Sequence, residues 1–280
     1  MTAGDGRTTV VLFFSICIVI WGNSTTETRG GSRQAKAYLD EMEVSPIPNT
    51  LFTPAPATAN ENASLEILRL DTRLNAEQLA AQLAKAQGTS GVVSYGARNV
   101  GVYSISAPSV SGEHRLVNSY LEGFLPYSVD NPMVPLYALA QRKQYQLDAD
   151  QYEGRAEVWQ SSREAYHFAR GDCEDHALLL ADWLIAMGED ARVVLGRYRG
   201  GGHAWVVLFK GGREYLLEAT KKSGLSRTKP YPLTTLHLDY HPEFMFNRSD
   251  FWRNEGSKYT TRYASQYWKR QSHYSTSKTL

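Results

Sequence analysis

Apolar and polar positions along the chain change period several times. Between residues 173 and 187, Cys173, Ala177, Leu180, Ala181, Leu184 and Met187 recur at helical spacing and share one face. Asp172 stands just ahead, Asp175 follows three residues later as a capping-box acid would, and Gly188 comes after the last apolar position. The pattern predicts a helix with Cys173 in its first turn. The period then drops to two: ARVVLGRYR (191–199), HAWVVLFK (203–210) and REYLLEAT (213–220) read as strands. Upstream, LEILRLD (65–71) alternates as a strand and LNAEQLAAQLAKAQG (74–88) reads as a helix, with Asn75 as N-cap and Gly88 past its end. GVVSYG and NVGVYSIS follow as short strands, so residues 63–107 are expected to form a small βαββ accessory element. Helices are expected over Glu113–Phe124, Met133–Leu147 and Trp159–Ala169.

The first 62 residues have a different texture. Val10–Trp21 is a run of apolar and small residues without a charge. As a helix it would cover roughly 18 Å, short of the ~30 Å hydrocarbon core. Small residues follow, and residues 1–24 are expected to be a secretory signal peptide or a short membrane anchor. Residues 25–62, rich in Ser, Thr, Pro, Asn and Gly, read as a disordered linker. The expectation is an exported protein, periplasmic or extracellular, with an N-terminal tether if the run is kept. At the other end, residues 256–280 are basic and rich in Tyr and Ser and are expected to be a surface-bound or frayed tail. Residues 108–255 remain as the expected main domain.

Composition narrows the chemistry. Thirty Lys+Arg against 29 Asp+Glu give a net charge of +1, so no global basic field draws the chain onto nucleic acid. Two cysteines exclude a disulfide-stapled scaffold and an all-thiolate iron–sulfur protein. Cys17 lies inside the apolar run, so a processed chain would keep Cys173 as its single thiol.

The positive end of a helix favours a thiolate at Cys173, while Asp172, Glu174 and Asp175 oppose it, so an activated sulfur needs a cationic partner. The turn Gly211-Gly212 makes a two-residue hairpin in which paired positions sum to 423. His203 and Glu218 then share a sheet face as diagonal neighbours, roughly 7–8 Å apart at the backbone, within reach of a hydrogen bond. Taken singly, Cys173 reads as a small core residue, His203 as an edge histidine and Glu218 as a surface charge. Taken in order, a helix-start Cys, a strand His and an adjacent-strand acid supply a nucleophile, a base and an orienting group. A metal site built from Cys173, His176 and His203 is the rival, and it lacks a second cysteine.

Gly171-Asp172-Cys173-Glu174-Asp175, Ala191–Gly196, His203-Ala204-Trp205-Val206 and Leu217-Glu218-Ala219-Thr220 resemble the transglutaminase-like superfamily. The Cys-plus-acids string also resembles the bacterial transglutaminase-like cysteine proteinases, with Trp159 some way ahead. The resemblance implies a papain-like α+β fold, with a Cys-bearing helix packed on an antiparallel sheet. It implies Cys173 as nucleophile, His203 as base and Glu218 as third member. The acid departs from the superfamily's usual Asp, and His176 from the proteinases' usual Tyr. Trp159 or Gln160 is expected as a second oxyanion donor beside the Cys173 N–H. No cofactor is required, although the resemblance implies that Asp172 and Glu174 could bind calcium. The expected reaction is cleavage of an amide bond in a protein or peptide through an acyl-thioester. Transglutaminase-type acyl transfer to an amine and a non-catalytic binding module are the alternatives.

Overall fold

The computed structural model describes residues 63–223 and 232–276. The expected signal or anchor and linker lie outside the described residues. Among these residues no helix is long and apolar enough to cross a membrane.

The chain runs β1 (Ala63–Ile67), β2 (Thr72–Leu74), α1 (Ala76–Ala84), β3 (Val93–Ala97), β4 (Gly101–Pro108) and β5 (His114–Leu116). Then come a 3-10 turn (Val117–Tyr120), α2 (Met133–Arg142), β6 (Gln144–Tyr145), α3 (Asp148–Gln151), α4 (Ser162–His167) and β7 (Arg170–Gly171). The last part holds α5 (Cys173–Ala186), β8 (Asp190–Tyr198), β9 (Gly201–Lys210), β10 (Arg213–Leu217), β11 (Tyr240–Phe246), β12 (Asp250–Asn254) and β13 (Trp268–Thr276). The order β10-β9-β8-β11-β12-β13-β1-β2 makes one eight-stranded sheet in which every pair is antiparallel. The fold class is α+β, with the Cys-bearing helix packed on an antiparallel sheet.

α5 is the centre of the molecule. Every residue from Cys173 to Leu184 is buried, so the helix is enclosed by β8 and β9 on one side and by α2 and α4 on others. A one-sided apolar stripe would not require this, but Leu178, Leu179 and Trp183 complete an apolar surface around the axis. Each such fully buried side chain stabilises the fold by roughly 2 kcal/mol. Strand alternation sorts the sheet residues. Ala204, Val206 and Leu208 join the α5 core, whereas Trp205 and Val207 join Val194, Leu216, Tyr240, Met245, Tyr263 and Trp268 in a separate cluster.

Several expectations need correction. Glu113–Phe124 is a strand followed by a 3-10 turn, because β5 pairs with β4 and the Asn118 amide donates to the carbonyls of Asn247 (2.7 Å) and Asp250 (3.1 Å). Tertiary partners override a helical pattern there. The helix expected to Leu147 stops at Arg142, where Lys143 turns extended and leads into β6. The expected accessory element is not separate, since β1 and β2 join the large sheet through β13. For the same reason the segment expected to be a frayed tail contains β13, an interior strand between β12 and β1. Its side chains Trp268, Gln271, Ser272 and Tyr274 are buried, and its exposed Lys269 and Arg270 account for the basic composition.

Candidate active site

The hairpin turn sets the geometry. Gly211 and Gly212 have φ of +59° and +71°, the left-handed values a tight hairpin requires. Lys210 pairs with Arg213 and Val206 with Leu217, both in the register anticipated from the turn. One residue beyond the paired segment, Glu218 meets His203: Nε2 donates to Oε2 at 2.8 Å. Burial alone would push the Glu218 carboxyl up. The charge of His203 and hydrogen bonds from His203, Thr220 and Tyr240 outweigh it and hold the group at about 2.

Cys173 opens α5, as anticipated, and its Sγ is buried and donates to Glu174 Oε2 at 3.3 Å. It shares an apolar cluster with Ala204, Leu217 and Ala219, the chain neighbours of His203 and Glu218. A second link joins helix and hairpin. Lys222, four residues after Glu218, donates from Nζ to His176 Nε2 at 3.0 Å. His176 lies less than one turn beyond Cys173, and its Nδ1–H donates to the Asp172 carbonyl at 2.5 Å. Burial, then the charges of Lys222 and Lys143, holds the His176 ring well below its ordinary pKa, so it is neutral. Burial also lowers Lys222 to about 8. The metal site of Cys173, His176 and His203 is therefore not formed, because both His176 nitrogens are engaged.

Trp159 and Gln160 do not offer the oxyanion donor expected of them. The Trp159 backbone N–H donates to Pro108 O (2.8 Å) and its indole to Glu157 Oε1 (2.7 Å). The Gln160 backbone N–H donates to Asp175 Oδ1 (2.8 Å), and its amide to Tyr152 Oη and Arg170 O (both 3.0 Å). These donors hold the loop ahead of α5 instead.

Beneath the first turn of α5 lies a buried group of acids: Asp148, Glu157, Asp172, Glu174 and Asp175. One cation accompanies them among the described residues. Buried Lys143 donates to Gln160 Oε1 (3.0 Å), Phe168 O (3.4 Å) and Arg170 O (3.0 Å), and burial lowers it to about 8. Ligand atoms of Asp172, Cys173 and Glu174 lie within 4.8 Å of one another, and so do those of Asp148, Asp172 and Asp175. Asp148 Oδ1 and Glu174 Oε1 are buried without a hydrogen-bond partner. Burial pushes Asp148 up to about 10, with Asp172 and Asp175 adding repulsion, and drives Glu174 well up. Hard carboxylate oxygens, partly unsatisfied and mutually repelling, fit an oxygen-liganded divalent cation.

Residues 157–275 match the model of the CEP76 peptidase-like domain. The match takes in Cys173, His203 and Glu218 and runs into β13, while residues 63–156 lie outside it. It covers the motifs that resemble the transglutaminase-like superfamily, and this segment is similar to a peptidase-like domain. No curated protein matches the chain. Solved structures similar to it include EGTA-treated Legionella pneumophila LapG, 16% identical, covering 46% of this chain and 70% of that one, with a TM-score of 0.37. Calcium-bound LapG is 17% identical, covering 46% and 73%, with a TM-score of 0.36.

Three parts of the candidate site carry no sequence signal of their own: Tyr240, Lys222 and the acids Asp148 and Glu157. The first two follow Glu218 in the chain without a motif of their own, and the acids sit ahead of α5 at irregular spacing. Thr220 stands out in the sequence only within the motif that carries the resemblance.

Proposed function

We propose that the peptidase-like domain is a thiol hydrolase that cleaves an amide bond in a protein or peptide. Cys173 is the nucleophile, His203 the base and Glu218 its orienting acid. The observation that carries this reading is the 2.8 Å His203–Glu218 hydrogen bond, on a hairpin whose next residues reach back to the first turn of the cysteine helix. Glu218 engages Nε2, so Nδ1 is the nitrogen that exchanges a proton with Cys173. The thiolate attacks the carbonyl carbon, a tetrahedral oxyanion forms, and the Cys173 N–H at the helix start stabilises it. The imidazolium passes its proton to the leaving amine, and the acyl-thioester remains. Water then gives up a proton to His203, attacks the thioester and releases the acid, returning the proton to sulfur. Throughout, Glu218 keeps the imidazole tautomer and offsets its charge.

Iodoacetamide at near-neutral pH tests the pair. Cys173 should label faster than free cysteine, and His203→Ala should slow it tenfold or more. Equal rates in the two proteins would remove the thiolate–imidazolium pair from the mechanism.

Asp148, Asp172 and Glu174 are proposed to hold calcium, which would neutralise the acids around the thiol. The chain is also proposed to be exported through Val10–Trp21, and N-terminal sequencing of the purified protein checks this. A chain beginning at its first residues in the cytoplasmic fraction would overturn export.

A further inference from the structure

Glutamate in place of aspartate adds a rotatable bond, and the terminal torsion of a glutamate is broad. An orienting acid with that freedom needs tethers. Oε1 of Glu218 accepts from the Thr220 backbone N–H (3.1 Å) and hydroxyl (2.7 Å). Oε2, the oxygen that holds His203, also accepts from the Tyr240 hydroxyl at 2.8 Å. Tyr240 comes from the start of β11, which is separated from β9 by β8 in the sheet. Its hydroxyl therefore crosses the sheet face to reach the carboxylate. The ring is buried and fixed by Tyr198 (centroids 4.4 Å), Trp205 (5.1 Å) and His237 (5.6 Å), with His203 at 6.2 Å.

We propose that Tyr240 is a positioning residue for the His203–Glu218 pair, its hydroxyl setting the orientation of the carboxylate. The proposal rests on the Cys–His–Glu reading. Tyr240 acts through Glu218 and touches no reacting atom. Thr220 alone would fix one oxygen and leave the plane free to turn about it. The aromatic packing makes the hydroxyl position a property of the sheet rather than of a flexible side chain. Two donors on Oε2 also stabilise the charged form, and removing one shifts the carboxyl upward.

The test is the pH profile of Cys173 alkylation by iodoacetamide in the intact chain. Tyr240→Phe keeps the ring and its packing. At pH 7 the rate should fall by about tenfold to a hundredfold, the range expected for loss of one hydrogen bond to a charged group. The acid limb of the profile should move up by about half a pH unit or more. In a Glu218→Ala background, Tyr240→Phe should change the rate less than about twofold, because the group it acts through is gone. A Tyr240→Phe profile equal to wild type overturns the proposal. So does a profile scaled down with its acid limb unmoved, or an equal loss in the Glu218→Ala background. If wild-type Cys173 labels no faster than free cysteine, the triad reading itself fails, and the proposal falls with it.

Discussion

Glu218 keeps its charge in a place where burial would neutralise it, and this gives a pH signature. Its folded pKa of about 2 lies below the ordinary value of 4.5. The stability it contributes is therefore present above about pH 4.5 and lost as pH falls toward 2, on the order of 3 kcal/mol in all. Urea unfolding at pH 6 and pH 3 should show a larger loss in wild type than in Glu218→Gln. Equal losses would mean that its partners do not hold the charge. At this scale His203 and Glu218 could be paired from the chain because a two-residue turn converts sequence distance into spatial distance. Tyr240 could not, since it lies two strands from β9 in the sheet and nothing local announces its hydroxyl. Trp159 and Gln160 show the converse. Their positions ahead of the cysteine suggested donors facing the substrate, but buried acids and carbonyls took those donors.

Among the elements, α5 and the β9–β10 hairpin carry the site. The helix start was readable from Asp172 and Asp175, and the Asp172 N–H does donate to Asp175 Oδ2 at 3.3 Å. What periodicity missed is that α5 is buried all round, because amphipathic counting sees one stripe and not the neighbours that cover the rest. The hairpin depends on its turn. Gly212→Ala places a Cβ at φ +71° and should destabilise the fold by about 1 kcal/mol, read from chemical denaturation. A variant as stable as wild type would mean that the turn tolerates another geometry. The acid group beside α5 is an element-scale feature as well, joining α3, the loop before α4 and the first turn of α5. Calcium should raise the melting temperature by several degrees over EGTA, and Asp148→Asn should remove most of that rise. No shift in wild type would mean that the acids are satisfied by protons instead.

For the whole molecule, the α+β class and the helix-on-sheet arrangement were legible, while the sheet's extent was not. WKRQSHYST has too few apolar residues to read as an interior strand, and its partners β12 and β1 lie far apart in sequence. Removing residues 268–280 should leave β1 and β2 without their link to the sheet, and the shortened chain should lose cooperative unfolding. Retained cooperativity would show that the remaining strands suffice.

The pairing of Ala63 with Thr276 also bears on how the protein is made. On a ribosome adding about 5–20 residues per second, the roughly 200 residues between β1 and β13 take about 10–40 seconds to emerge. During that interval the open side of the β1–β2 hairpin has no mate and invites mispairing. A holdase that shields this edge until β13 is available would raise the yield of soluble protein.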